Sequence, residues 1–335
     1  VLNAYRIRTK CASNAYRPHI DCRQEAIMQS SSRRAFLTGR RALSDPWQAF
    51  CQAMRRNVEG SFFELDTHGG APAARLVPKQ PGDVRKARAL CERHAVILAL
   101  DGVPGAARLD DEAVLWVDPG RALGRCERLE PGSPQWFVQP GCLLGELEAA
   151  GLTAFADLPC HISVAAWLAD RTLCDWPSGQ THESGIVHAS VLLGDGEVVT
   201  LGPFGEHNRK PLDGIRLQQL IPALFQLSTQ AAGRACRAQP AWPARYRLDA
   251  LAPVDGQAVN LAHLLLGHGG DLGWVEWLVI DERLARPLAE QPYDARYAAG
   301  RAVALGLEAE AGELDAAVKS LFDPHCRLSH PGQSL

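Results

Sequence analysis

From residue 44 onward the apolar positions switch repeatedly between helical and strand periods. Ser44-Asp45-Pro46 places a capping side chain ahead of a first-turn proline, and Trp47, Phe50, Cys51 and Met54 then follow helical spacing. Residues 61–77 alternate loosely about Gly69-Gly70 and read as strand and turn. A second helix opens between Pro78 and Asp83, carries Val84, Ala87, Leu90 and Cys91 on one face, and ends near His94. Ala95–Leu100 is continuously apolar, the mark of a strand buried on both faces. It runs into a glycine-containing loop, Asp101–Gly105. Loops at the carboxyl end of such a strand commonly bind ligands. Ala113–Val117 is another strand, Phe137–Gly141 a strand ending in a turn, and Leu143–Leu152 a short helix closed by Gly151. These elements form an expected first subdomain over 44–155.

A second subdomain is expected over 156–283. Val187, Ala189, Val191 and Leu193 alternate with His188 and Ser190, and Asp195-Gly196 then turns the chain into Glu197–Leu201 as a hairpin. Leu217, Leu220, Ile221, Leu224 and Phe225 make a helical stripe that Pro222 must start or kink. Residues 228–246 are rich in Ala, Arg and Pro and read as a loop. Leu261–Leu266 is apolar, Gly267–Gly273 is glycine-rich, and Trp274–Ile280 is a strand. Trp274 and Trp277 point to opposite faces of it, as packing residues. In the remainder, 284–335, Leu314, Ala317, Val318, Leu321 and Phe322 form a last amphipathic helix stopped at Asp323-Pro324.

Composition narrows the class. The chain has 335 residues, 46% hydrophobic and 22% charged, with a net charge of −3. That suits a packed domain and gives no footprint for a nucleic-acid partner. Its ten cysteines include no C-x-x-C pair, so a zinc site is not expected. Cys51 and Cys91 fall on apolar helical faces and belong to the core. No run is long and apolar enough for a membrane span, and a cytoplasmic protein, peripheral to a membrane through a partner, is expected. Arg33-Arg34 resembles a twin-arginine signal but lacks the apolar stretch that should follow. Residues 1–43 read as a disordered N-terminal arm; residues 1–27 have no apolar period, and Met28 is the expected natural start, with the residues before it upstream translation or disordered arm, or alternatively a basic docking arm.

The order of the motifs carries a resemblance. Pro78 to Val84, the strand Ala95–Leu100 and the loop Asp101–Ala106 are followed by Val114–Val117 and Pro140-Gly141. Then come Pro159, Ser163-Val164-Ala165-Ala166, Ser178-Gly179, Ile186–Leu193 and Asp195-Gly196. Asn260-Leu261-Ala262-His263-Leu264-Leu265-Leu266-Gly267 precedes the glycine-rich loop, and Leu321-Phe322-Asp323-Pro324 precedes Pro331-Gly332 near the end. In this order the chain resembles the FAD-linked oxidases of the vanillyl-alcohol-oxidase type, over about 70–280 and 314–332. The resemblance implies an α+β, two-subdomain PCMH-type FAD-binding fold: a small α/β subdomain plus a larger mixed or antiparallel sheet with flanking helices. It implies non-covalent FAD held by Asp101, Gly102, Val103, Pro104, Gly105, Ala106, Pro159, Ser163, Val164, Ala165, Ala166, Ser178, Gly179, Ile186, Gly270 and Gly273. The first loop and the Ser163–Ala166 segment would hold the diphosphate, and the backbone at Ile186 would meet the adenine side.

Several positions depart from the family's pattern. Pro104 removes an amide donor, Asp101 adds a negative charge, Ala165-Ala166 replace a glycine pair, and Gly269 and Asp271 replace a glutamate and a threonine. No segment the size of the family's substrate cap lies between Gly273 and the closing motif, so no catalytic base is assigned. His182, His188 and His268 are read as solvated or satisfied histidines. Two functions stay open. One is an FAD-binding subunit of an oxidoreductase acting on a 2-hydroxy acid with a larger oxidase subunit. The other is a flavin-free pseudoenzyme serving as scaffold or regulatory subunit.

Overall fold

A computed structural model of the chain describes residues 45–67, 70–103, 109–205, 214–254, 256–287 and 306–330. The expectations for 1–43, and Pro104, Gly105 and Ala106 of the first loop, lie outside them.

The first sheet has strands β1 (Ser61–Leu65), β2 (Ala73–Val77), β3 (Ile97–Leu100) and β4 (Val114–Val117) in the order β1-β2-β4-β3. β2 and β3 each run parallel to β4, while β1 pairs antiparallel with β2. Helices α1 (Pro46–Asn57) and α2 (Pro81–His94) cover one face. Asp45 caps α1, accepting from the Trp47 amide at 3.0 Å. Ala95, in the left-handed region at φ 54°, ends α2 and releases the chain into β3. In the first turn of α2 the Asp83 carboxylate is fully buried and accepts the amides of Glu59, Gly60 and Lys79, each at 3.0 Å. Burial alone would raise its pKa. The three donors overcome that and hold it below the usual carboxylate range.

The second sheet is antiparallel throughout. Its strands β5 (Cys126–Arg128), β6 (Gln135–Val138), β11 (Trp274–Asp281), β7 (Ile186–Leu192) and β8 (Val198–Leu201) lie in that spatial order. A short pair, β9 (Pro203–Phe204) and β10 (Val259–Asn260), stands apart. Against it pack α3 (Leu144–Ala150), α4 (Val164–Ala169), α5 (Ile215–Thr229), α6 (Ala231–Arg237) and α7 (Glu308–Phe322). The class expected from the sequence, α+β with a small α/β sheet and a larger antiparallel one, is what the chain adopts. α2 joins the two layers: Arg85 makes a bidentate pair with Glu276 at 2.6 and 2.7 Å, and Arg88 donates to the Gly194 carbonyl at 2.8 Å.

Three local readings need correction. β5 and β6, grouped by sequence with 44–155, pair into the second sheet, because β6 is the antiparallel neighbour of β11. Of the two readings of Pro222, a start is excluded: α5 begins seven residues earlier and runs through it. The stretch 228–246 is not a loop throughout. Ala231–Arg237 is helical, as its Ala and Arg content favours, and Trp242, Arg245 and Tyr246 are core residues.

Candidate functional site

The carboxyl ends of β3 and β4, the turn after β6 and the start of α4 surround a cleft of about 510 Å³. Cofactor pockets commonly measure roughly 300–1,000 Å³. Asp101 and Gly102 stand on one wall with Asp118, Pro119 and Gly120, and Ser163 and Ala166 stand on the other with His161 and Asp170. Four residues that the resemblance assigned to the cofactor therefore meet here: Asp101, Gly102, Ser163 and Ala166.

The electrostatics of this cleft are settled within the chain. Arg75, projecting from β2, bridges Asp101 at 2.7 Å and Asp118 at 2.9 Å. Arg121 grips Glu146 with both guanidinium nitrogens, and that bond is the main reason the Glu146 carboxyl drops to about 2. Asp170, 8% exposed, accepts from the Thr172 amide at 2.8 Å, yet burial still raises its pKa. The described lining thus carries three carboxylates against two guanidiniums.

Several backbone donors are engaged as well. Gly102 donates to Asp101 Oδ1 and Gly120 to Asp118 Oδ1, each at 2.9 Å. Gly141 donates to the Leu123 carbonyl and Leu143 to Glu146. At the start of α4, Val164 donates to the Cys142 carbonyl (2.8 Å), Ala165 to the Pro140 carbonyl (3.0 Å) and Ala166 to Ser163 Oγ (3.2 Å). A diphosphate needs inward-pointing N–H groups and a favourable charge. Among the described residues these amides are already engaged and carboxylates outnumber guanidiniums, which disfavours a diphosphate here.

The other assigned residues are spread out. Ala165, Gly270 and Gly273 border a small space of about 10 Å³ with Leu98, Leu100, His268, Trp274 and Val275. That is about the room of one water. The two layers touch there: Leu100 Cβ lies 3.0 Å from where a Cβ on Gly270 would stand. Val164 is the buried first residue of α4, Val103 packs against the first core, and Pro159 is half-buried in the loop leading to α4. Ser178 and Gly179 lie elsewhere, their amides donating to the Pro240 carbonyl and to Asp249. The Ile186 carbonyl accepts from Asn260 Nδ2 at 3.0 Å and from His263 Nε2 at 2.8 Å.

Sequence reasoning missed the residues that close this centre. Asp271, fully buried, accepts from Arg245 (2.6 Å), Tyr246 Oη (3.2 Å) and Ser329 Oγ (2.8 Å). Lys319 bonds the Asp271 carbonyl and Asp323, and Asp323 accepts the amides of Arg327 and Leu328. The C-terminal segment is thereby laid along β3, with bonds from Leu98 to Arg327 and from Ser329 to Leu98, each at 3.1 Å. Only the replacement at Asp271 hinted at this.

His268 departs from the expectation of a satisfied or solvated ring. It is buried, and its Nδ1 has no hydrogen-bond partner among the described residues. Burial lowers its pKa to about 4, and does the same for His263. With folded values depressed from about 6.5, the unfolded chain binds more protons between these limits. Stability is therefore full above about pH 6.5 and falls as the pH drops toward about 4, by up to about 1.4 kcal/mol per pH unit for each ring. The melting temperature should drop between neutral pH and about pH 5, and His268→Gln should flatten the slope. An unchanged slope in that variant would remove His268 from this account.

No family model matches the chain, and no curated protein matches it. Among solved structures it aligns with 4-ethylphenol oxidase from Gulosibacter chungangensis at 12% identity and a TM-score of 0.41, covering 72% of this chain and 43% of that one. With BBE-like 1 of Physcomitrella patens the values are 11%, 0.37, 69% and 44%. With alkyldihydroxyacetonephosphate synthase they are 14%, 0.37, 63% and 32%. The chain spans less than half the length of each. Likeness at this level does not fix a cofactor, so the reading of function rests on the site's own geometry.

Proposed function

We propose that this chain is a flavin-domain relative of the FAD-linked oxidases whose cofactor cradle is filled by its own side chains, and that it serves as a flavin-free scaffold or regulatory subunit beside a larger oxidase subunit. The order of its motifs supports the kinship. The observation that carries the loss of flavin is the state of the cleft's donors: the amides of Gly102, Gly120, Val164, Ala165 and Ala166 are all engaged internally. The space beside Gly270 and Gly273 adds to this, since about 10 Å³ admits no ring system. No helix among the described residues is long and apolar enough to cross a membrane.

A second reading is favoured by the cleft's volume and by Gly102, Ser163 and Ala166 on its walls. In it, FAD binds non-covalently after Asp101 and Asp118 turn away, and the chain is the flavoprotein subunit of a complex oxidising a 2-hydroxy acid. Melting curves with and without FAD separate the two. A ligand present at a hundred times its Kd adds about 2.7 kcal/mol of stability. The first reading expects no shift with excess FAD. A clear rise would overturn it in favour of the second.

A further inference from the structure

Two cysteines meet beneath the cleft floor. Cys126 opens β5 and stands opposite Val138 across the β5–β6 ladder. Past Val138 the Cys142 amide donates to the Gln139 carbonyl at 3.1 Å, closing a β-turn. The amides of Gln139 and Gly141 meanwhile donate to the carbonyls of Arg125 (2.9 Å) and Leu123 (2.7 Å), just ahead of Cys126. The turn therefore carries Cys142 back beside the strand position that faces Cys126. Cys142 is fully buried, while Cys126 is half-buried and packs against the core cluster that contains Cys142. The thiols of Cys126 and Cys142 influence each other's ionisation, and neither is in a disulfide. One cysteine is only half-buried and its neighbour lies inside, the arrangement of an oxidisable cysteine with a resolving partner.

We propose that Cys126 and Cys142 are a modification site that closes to an intrachain disulfide when the protein meets a hydroperoxide. The Cys126 thiolate attacks one peroxide oxygen. The O–O bond breaks, Cys126 becomes a sulfenic acid, and the departing hydroxide takes up the proton that the Cys126 thiol gave up, leaving as water. The Cys142 sulfur then attacks the Cys126 sulfur. An S–S bond forms, the S–O bond breaks, and hydroxide leaves with the Cys142 proton as a second water. Two thiols lose two electrons, and one hydrogen peroxide is reduced to two waters.

The difference in burial assigns the roles. Cys126 is half-buried, whereas Cys142 is fully buried. Burial raises the Cys142 thiol further above its ordinary value. Cys126 is therefore the nucleophile and Cys142 the resolving thiol. The bond would also reach the cleft, because the carbonyls of Cys142 and Pro140 hold the first amides of α4, and Gly141 and Leu143 line the cavity. This inference is independent of whether FAD binds.

The test treats the full chain with one equivalent of hydrogen peroxide, blocks remaining thiols by alkylation, and maps the digest by mass spectrometry. The expected product is a crosslinked pair of peptides containing Cys126 and Cys142, lighter by two hydrogens and split again by dithiothreitol. The exposed Cys160 and Cys326 should be recovered largely alkylated in the same digest. Cys126→Ser should abolish the crosslink, and if that variant does not fold, the wild-type digest decides alone. Recovery of both peptides alkylated while Cys160 and Cys326 oxidise would overturn the proposal. Cys126 over-oxidised without a crosslink, or joined to another cysteine, would do the same.

Discussion

Replacing Asp271 with alanine should destabilise the fold by about 3–5 kcal/mol, the usual cost of breaking a buried ion pair from one side. Its carboxylate is fully buried and Arg245 is 4% exposed, so the guanidinium would lose its 2.6 Å partner where water cannot replace it. Tyr246 Oη and Ser329 Oγ would lose an acceptor in the same step. The Ser329 contact helps hold the C-terminal segment against β3, so that segment should become open to proteolysis in the variant. Asp271→Asn keeps an acceptor but loses the charge, and should fall between wild type and alanine. Urea unfolding measures the effect. A loss below about 1 kcal/mol, the level of an exposed pair, would show that this network does not hold the two layers together.

The largest effect on binding is expected at Asp101 and Asp118. Changing both to alanine frees the Gly102 and Gly120 amides and releases Arg75 from two ion pairs. Hydrogen bonds to charged groups contribute about 1.5–3 kcal/mol each, so recovering even one should tighten anion binding by roughly tenfold to a hundredfold. Inorganic pyrophosphate is the suitable probe, since it needs only the cradle and no room for a flavin ring. Calorimetry should show no binding to wild type, binding to the double variant, and loss of that gain when Arg75→Ala is added. Pyrophosphate binding by wild type would show that the carboxylates do not exclude anions. FAD should gain little in the double variant, because the space beside Gly270 stays small.

Much of the fold was legible because its signals are local. The apolar faces of α1 and α2, the continuous run of β3 and the Asp195-Gly196 turn each sit within one short window, and each forms as read. Pro222 lies inside α5 rather than at its start because a proline's cost is local while the packing of Leu217, Leu220, Ile221 and Leu224 runs along the helix. The buried stretch around Arg245 and Tyr246 gave no signal at all. Polar residues in sequence read as surface, and these are buried only because Asp271 and Asp315 reach them from distant segments. The candidate site was half legible. Asp101, Gly102, Ser163 and Ala166 do meet at one cleft. Arg75, Asp118 and Arg121, which decide its charge, carry no motif, and their roles come from the parallel pairing that sets β2, β3 and β4 side by side.

The flavin question itself is decided by titration. FAD is added to the full chain at protein concentrations well above those at which flavoproteins saturate, and flavin fluorescence is followed, then the visible spectrum after gel filtration. The expected result is fluorescence equal to that of free FAD and a colourless protein peak. Stoichiometric quenching, with the yellow flavin spectrum travelling with the protein, would contradict the closed cradle.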